Sequence, residues 1–121
     1  MIQLKRAYET PEAADGDRYL VERLWPRGVK KEDARLKAWV KDVSPSAELR
    51  KWYGHDPEKW PEFQKRYREE LKDAEHRAAL EELRKAARRG TITLVYAAKD
   101  EERNSARIVK EELGRGVGPV S

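Results

Sequence analysis

The chain has no cysteine among its 121 residues, which excludes disulfide bonds, thiolate nucleophiles and cysteine-based metal sites. It also lacks long apolar runs, since none approaches the roughly 18 to 20 residues that a membrane-spanning helix needs. Residues 1–6 do not show the charged-then-apolar order of a signal peptide. These absences predict a cytoplasmic protein without a membrane partner.

Residues that degrade at high temperature are scarce as well. Methionine occurs once, as Met1, and asparagine once, as Asn104. Charged residues make up 41% of the chain, against roughly 25% in an average domain. The two signs are interleaved and leave a net charge of only +4. This composition is typical of heat-adapted proteins, whose surfaces carry ion-pair networks, and it predicts a thermostable protein.

Common catalytic signatures are missing too. The sequence has no Gly-x-Gly-x-x-Gly segment, no phosphate-binding loop and no Gly-x-Ser-x-Gly elbow. Its two histidines, His55 and His76, lack the helical or hairpin spacing that would place both on one metal ion. The sequence therefore indicates neither a cofactor nor a metal site.

What is present is an alternation of strand and helix patterns. Strand patterns occur at 2–6, 19–21 and 91–96, with a further candidate at 36–43. The 91–96 segment is nearly continuous in apolar and β-branched residues, as in a strand buried on both faces. Two helices are predicted to start with Ser44 and Asp56 as N-caps before prolines, and two more cover 75–89 and 101–113.

These patterns predict one α/β domain over residues 1–121, of which 113–121 form a flexible tail. Its architecture is a three-layer sandwich in which helices flank a small, mostly parallel four-stranded sheet. Ligands of such sheets bind beyond the carboxyl ends of the strands. We expect four segments to converge at this rim, three of them with cations: 5–6, 23–27, 44–46 and 96–99.

The segment Arg23–Gly28 carries the strongest functional signal, because it follows a strand directly and contains two arginines and a tryptophan. We expect Arg23, Arg27 and Arg6 to bind a phosphate or carboxylate through bidentate contacts, with Trp25 beside them. The alternative is that Trp25 covers the core while the arginines are solvated. A ligand-facing loop is the slightly favoured interpretation.

Four more polar residues are candidate ligand contacts. Ser44 and Ser46 lie where a helix start would offer free backbone N–H groups to an anion. Lys99 follows the last strand, and Asn104 is retained in a composition that otherwise avoids asparagine. The alternatives are an ordinary serine cap and an asparagine that only ties the last helix to its neighbours.

His55 and Tyr96 are the candidate catalytic residues. His55 has a side chain suited to acid–base chemistry and stands beside Asp56. A histidine that bonds the backbone of this corner is the favoured alternative. Tyr96 ends the strongest strand, where it would act as an acid, a hydrogen-bond donor or a core residue. His76 is expected on a partly buried helix face without a functional role.

Five sequence blocks then occur in a fixed order: KRAY, LVERLWPRG, SPSAELRKWYGHDP, FQKRYREEL and LVYAAKDEERNSA. Together they span about residues 2 to 113 and resemble the YeaO-like family, domain of unknown function 488. One departure is Glu22, where the family pattern usually has aspartate. The family pattern maps onto Arg6, Arg23, Trp25, Pro26, Arg27, Gly28, Ser46, Glu48, Leu49, Arg50, His55, Tyr96 and Asn104. Because the family has no established activity, the resemblance implies little about the reaction.

Two functions remain open from the sequence. The first is a small-molecule enzyme or binding domain for an anionic metabolite, bearing phosphate or carboxylate, at the carboxyl rim of the sheet. The second is a nucleic-acid-binding module that uses basic clusters at 30–31, 65–68 and 84–89. Acidic residues interrupt those clusters, which favours a salt-bridged helix surface and hence the first function.

Overall fold

Four parallel strands form the sheet within residues 1–117, the part of the chain that this computed structural model describes. They are β1 (Ile2–Arg6), β2 (Asp17–Leu20), β3 (Ala38–Trp39) and β4 (Ile92–Tyr96). Their spatial order is β1-β4-β2-β3, and each neighbouring pair is parallel. All four carboxyl ends therefore lie at one edge, as predicted.

Strand β4 lies inside the sheet, and all five of its residues are buried. Its apolar sequence follows from this position between two neighbours. Gly16, just before β2, has a φ of 64°, and a Cβ at this position would lie 2.0 Å from the Thr91 carbonyl oxygen. Only glycine therefore allows the start of β2 to approach β4 this closely.

The helices confirm the predicted α/β sandwich. They are α1 (Lys31–Ala34), α2 (Ala47–Tyr53), α3 (Trp60–Glu70), α4 (Ala74–Arg89) and α5 (Ser105–Val117). On α3 the aromatic residues Phe63 and Tyr67 lie on the buried face. Tyr67 is fully buried, and its hydroxyl donates to the Val43 carbonyl. Within residues 1–117, no helix is both long and apolar enough to cross a bilayer.

Two elements differ most from their predicted bounds. The candidate strand at 36–43 is reduced to Ala38–Trp39, because residues 41–43 form a 3₁₀ turn. The last helix begins at Ser105 rather than at 101, because the Asp100 carboxylate accepts two backbone N–H groups and holds a turn before it.

The same helix extends further than the sequence indicated. It continues to Val117, and Leu113 is fully buried, so the predicted tail does not begin at 113. The remainder of that predicted tail, 118–121, lies outside the described residues.

Candidate functional site

A cleft of about 650 Å³ lies at the carboxyl edge of the sheet. Loops that follow β2 and β4 form part of its wall, together with α2 and the turn before α5. Its volume lies within the range of about 300–1,000 Å³ that small-molecule sites occupy. The lining residues are Glu22, Arg23, Ser44, Pro45, Arg50, Lys51, Tyr53, His55, Phe63, Ala97, Ala98, Lys99, Asp100, Arg103, Asn104 and Ser105.

Positive charge dominates this lining. Its cationic side chains are Arg23, Arg50, Lys51, Lys99 and Arg103. Arg103 pairs with Asp100 at 3.1 Å, and Arg23 donates from Nε to the Pro45 carbonyl at 3.3 Å. The other three make no side-chain hydrogen bond or ion pair with residues 1–115. The cleft therefore holds positive charge that the described chain does not neutralise.

The half-buried carboxylate of Glu22 also lines the cleft. Burial raises the pKa of Glu22, although a hydrogen bond from the Ala97 backbone N–H and the nearby charge of Arg50 oppose this shift. Trp39 fixes the backbone here, because its Nε1 donates to the Glu22 carbonyl at 2.6 Å. Glu22 was not predicted from the sequence as a site residue. Its signal was a carboxylate placed directly after the apolar run Leu20–Val21.

An aromatic wall completes the cleft. The rings of Tyr53 and Phe63 stack with centroids 4.4 Å apart and planes inclined by 27°. Trp60 continues the stack, 5.6 Å from Phe63, and the Tyr53 hydroxyl donates to the Arg103 carbonyl at 3.3 Å. This packing keeps the wall rigid and apolar beside the cations.

Five of the residues predicted from sequence line the cleft: Arg23, Ser44, His55, Lys99 and Asn104. Two of them are committed to structural bonds. The buried Ser44 hydroxyl donates to the Lys41 carbonyl. Asn104 accepts the Arg107 N–H at 3.0 Å through Oδ1 and donates to the Asp100 carbonyl at 3.0 Å through Nδ2. Asn104 is thus the cap of α5.

His55 is exposed at the cleft, in a left-handed backbone conformation with a φ of 58° that follows Gly54 at 52°. Its ring makes no hydrogen bond with the described part of the chain, and its nearest aromatic neighbour is Tyr53 at 6.1 Å. The expected bond from this histidine to the corner backbone is therefore absent. The ring is free to meet a ligand.

The other predicted site residues lie outside the cleft lining: Arg6, Trp25, Arg27, Ser46 and Tyr96. Arg6 donates to the carbonyls of Ala98 at 2.8 Å and Ala97 at 3.3 Å, which ties the end of β1 to the loop after β4. Trp25 donates to the Val29 carbonyl at 2.7 Å and meets Trp39 edge-on at 5.4 Å. Both side chains hold loops in place.

Tyr96 and Arg27 are separated from the cleft in different ways. Tyr96 is buried, and burial raises the pKa of its hydroxyl, which keeps the phenol protonated. Arg27 is exposed and makes no hydrogen bond or ion pair with residues 1–115. The segments expected to converge at this rim therefore contribute unequally: of Arg23, Trp25, Ser46 and Tyr96, only Arg23 lines the cleft.

The start of α2 also differs from expectation. Ser46 rather than Ser44 is the N-cap, and its Oγ accepts the Leu49 N–H at 3.1 Å. The Ser46 backbone N–H and hydroxyl donate to the two carboxylate oxygens of Glu70, at 2.9 and 2.6 Å. The helix start predicted to bind an external anion binds the chain's own carboxylate.

His76 is buried, at 8% exposure, which the sequence did not indicate. Its Nδ1 lies 2.8 Å from the Asp73 carboxylate and its Nε2 lies 2.9 Å from the Ser44 carbonyl. The His76 backbone N–H, which donates to Asp73 at 2.8 Å, and the ring contact hold the pKa of Asp73 below its usual value. The contact with Ser44 ties the start of α4 to the cleft wall. His76 is a structural residue.

Residues 1–117 match the family described as the inactive DUF488-N3 subclade. The chain belongs to this family. Uncharacterized proteins Rv3073c of Mycobacterium tuberculosis and Mb3100c of Mycobacterium bovis are each 46% identical over 112 residues, which is 93% of this chain and 92% of theirs. Uncharacterized protein YeaO of Escherichia coli is 40% identical over 93% of this chain and 96% of its own length.

These relatives confirm the resemblance to the YeaO-like family. No solved structure matches the chain. All cleft residues of this DUF488-N3 domain, from Glu22 to Ser105, lie inside the matched range.

Proposed function

We propose that this protein binds an anionic small molecule in the cleft at the carboxyl edge of its sheet. The observation that carries the proposal is the set of unpaired cations Arg50, Lys51 and Lys99 around one cavity of about 650 Å³. Cations gathered in a concave site attract anions and raise their local concentration. A bound phosphate or carboxylate supplies the opposite charge that the described residues do not.

Binding is better supported than catalysis. The family description names an inactive subclade. Of the two predicted catalytic residues, Tyr96 lies outside the cleft lining and only His55 lines it. His55 lacks an orienting hydrogen bond from residues 1–115, which a general base normally has. The cleft therefore offers recognition groups more clearly than a catalytic set.

The helix surfaces give little support to the alternative, a nucleic-acid-binding module. Within the predicted basic clusters, Arg66 pairs with Glu62 at 2.9 Å and Arg84 pairs with Glu81 at 3.0 Å. Such pairs interrupt a continuous cationic track, which phosphate-backbone binding requires. Other lysines of these clusters, such as Lys65 and Lys85, form no ion pair with residues 1–115 either, but they do not line the cleft.

A titration with benzylphosphonic acid tests the proposal. Binding is followed by ¹⁵N chemical shifts, in the wild type and in Arg50→Ala and Lys99→Ala. We expect each substitution to weaken binding about five- to tenfold, since each removes a charged contact. Lys85→Ala, an exposed lysine of α4 outside the cleft, is the control and keeps wild-type affinity. Equal affinity in all four proteins, or shifts confined to α4, refutes the proposal.

A further inference from the structure

We propose that Glu22 selects the ligand, so that the molecule bound in the cleft carries an N–H donor as well as its anionic group and gives that donor to the Glu22 carboxylate. The inference rests on the proposed function and narrows it. Among anions of suitable size, it assigns the cleft to amino- or amide-substituted aromatic phosphates and carboxylates. Aromatic anions without such a donor bind less tightly.

The hydrogen bonds of Glu22 leave acceptor capacity free. A carboxylate has two oxygens with about four lone-pair sites. Among the described residues, the Ala97 backbone N–H lies close enough to lower the pKa of Glu22, and Glu22 forms no ion pair. Glu70, by comparison, has one oxygen bonded to the Ser46 N–H and the other to its hydroxyl. Glu22 is thus a half-buried acceptor that lines a cavity and is only partly satisfied.

A half-buried carboxylate needs either a cation or hydrogen-bond donors to offset its lost hydration. Arg50 lies close enough to lower the pKa of Glu22, yet burial is the larger effect and the net shift is upward. Residues 1–115 also contain no cluster of three metal-ligating side chains, so the cleft does not present Glu22 as part of a metal site. An N–H group on the ligand would supply a donor that the described residues do not.

The aromatic wall indicates what kind of group joins the N–H donor of the ligand to its anionic group. Tyr53 and Phe63 present stacked rings to the cleft, and Arg50, Lys51 and Lys99 line the same cavity. A planar apolar body packs on such a wall, since aromatic rings favour stacked or edge-on contact. An anion at one end then meets the cations while an amino group meets Glu22.

Two matched probes test this inference. (4-Aminobenzyl)phosphonic acid and benzylphosphonic acid differ only in one neutral amino group, and both contain a ring and an anion. We expect wild-type protein to bind the amino probe about tenfold more tightly, because a hydrogen bond to a charged group is stronger than a neutral one. The affinities are measured by ¹⁵N chemical-shift titration.

The same two probes are then compared in Glu22 variants, which tests whether Glu22 causes the difference in affinity. In Glu22→Gln, which keeps a neutral acceptor, the ratio between the probes is expected to fall to about threefold or less. In Glu22→Met, which has no oxygen acceptor, the ratio is expected to fall to one. Glu32→Gln removes an exposed carboxylate of α1 outside the cleft, and it keeps the wild-type ratio. If Glu22→Met does not fold, the Gln variant decides.

The outcomes separate the two proposals. Equal affinity of the wild type for both probes overturns the selection by Glu22 but leaves the anion site standing. A tenfold ratio that persists in either Glu22 variant also overturns it, because the donor would then bind elsewhere. If neither probe binds, the anion-binding function and this inference fail together.

Discussion

Asp15 is buried and Glu22 is half-buried, yet the pKa of Asp15 is lowered while that of Glu22 is raised. Asp15 is 3% exposed and accepts hydrogen bonds from Lys5 at 3.1 Å, from Arg18 at 2.7 Å and from the Glu12 backbone at 3.1 Å. Burial by itself would raise the pKa of Asp15, but these donors lower it overall.

At Glu22 burial prevails and the pKa is raised, because one backbone N–H and one nearby arginine do not compensate for it. The comparison separates two uses of charge. Asp15 forms ion pairs with Lys5 and Arg18, and these pairs connect β1, β2 and the turn between them. In the cleft, Arg50, Lys51, Lys99 and the Glu22 carboxylate line one cavity without forming ion pairs with residues 1–115.

The largest expected effect comes from Asp15→Asn. The substitution leaves Arg18, itself 3% exposed, without its charge partner in the interior. Breaking a buried ion pair from one side typically costs about 3–5 kcal/mol of unfolding free energy. Urea unfolding at neutral pH measures it. The matched control, Asp42→Asn, removes an exposed carboxylate and is expected to change stability by less than about 0.5 kcal/mol. Equal losses in both variants would show that the Asp15 network contributes nothing specific.

A smaller loss is expected for His76→Phe. Phenylalanine fills the buried space but leaves the Ser44 carbonyl and the Asp73 carboxylate without their ring nitrogens. An unsatisfied buried acceptor costs about 1–3 kcal/mol. Thermal unfolding monitored by circular dichroism measures the change. If stability is unchanged, the bond to the cleft wall is replaced by water and His76 does not hold it.

Glu22→Gln is expected to change the unfolding free energy by less than about 1 kcal/mol at neutral pH, and in the stabilising direction, because it removes an incompletely paired buried charge. The sign of the pH dependence follows from the raised pKa. A folded pKa above 4.5 means that folding favours the protonated form, so the ionised carboxylate lowers stability as pH rises through that range. The advantage of Glu22→Gln over wild type therefore grows from pH 4.5 upward.

Asp15 gives the opposite slope. Its folded pKa lies below the usual 3.8, so its stabilising contribution is complete above that pH and is lost as pH falls through the lowered value. Urea unfolding between pH 3 and pH 7 distinguishes the two carboxylates. A Glu22→Gln advantage that shrinks with rising pH would contradict the assignment of Glu22 as an incompletely paired site.

The smallest effect is expected for Arg27→Ala. Arg27 is exposed, makes no described contact and does not line the cleft, so its loss should change stability by less than about 0.5 kcal/mol. Affinity for benzylphosphonic acid should also stay within twofold of wild type. A tenfold loss of affinity would instead restore the sequence-based site on the 23–28 loop.

The sheet was predictable because its strands carry local signals. The apolar run at 91–96 and the alternation at 2–6 depend on burial alone, and both strands form at those positions. The C-cap Gly54 and the N-cap Asp56 were predictable for the same reason, since a left-handed φ and a side-chain oxygen act within a few residues. Thermostability and a cytoplasmic location stay predictions from composition.

The site was only partly predictable, because its members meet through contacts distant in sequence. From the sequence, the helix start at Ser46 was expected to have free N–H groups. In the structure the carboxylate of Glu70, 24 residues later, accepts hydrogen bonds from the Ser46 N–H and hydroxyl. Arg6 looked like a ligand contact, but its guanidinium reaches carbonyls 91 and 92 residues away. Arg50 was marked only by the family pattern, because the residues around an arginine on a helix do not show whether it lines a cleft or faces solvent.

The position of β4 in the middle of the sheet has a consequence for synthesis of the chain. β1 pairs with β4, and β2 pairs with β4 along Asp17–Leu20, whereas β1 and β2 do not lie side by side. On the ribosome these N-terminal strands are made long before Ile92–Tyr96 exists to join them. Pairing so distant in sequence is slow to form. The sheet therefore closes only after β4 has been translated, and the cleft, whose wall includes residues 97–105, takes shape later still.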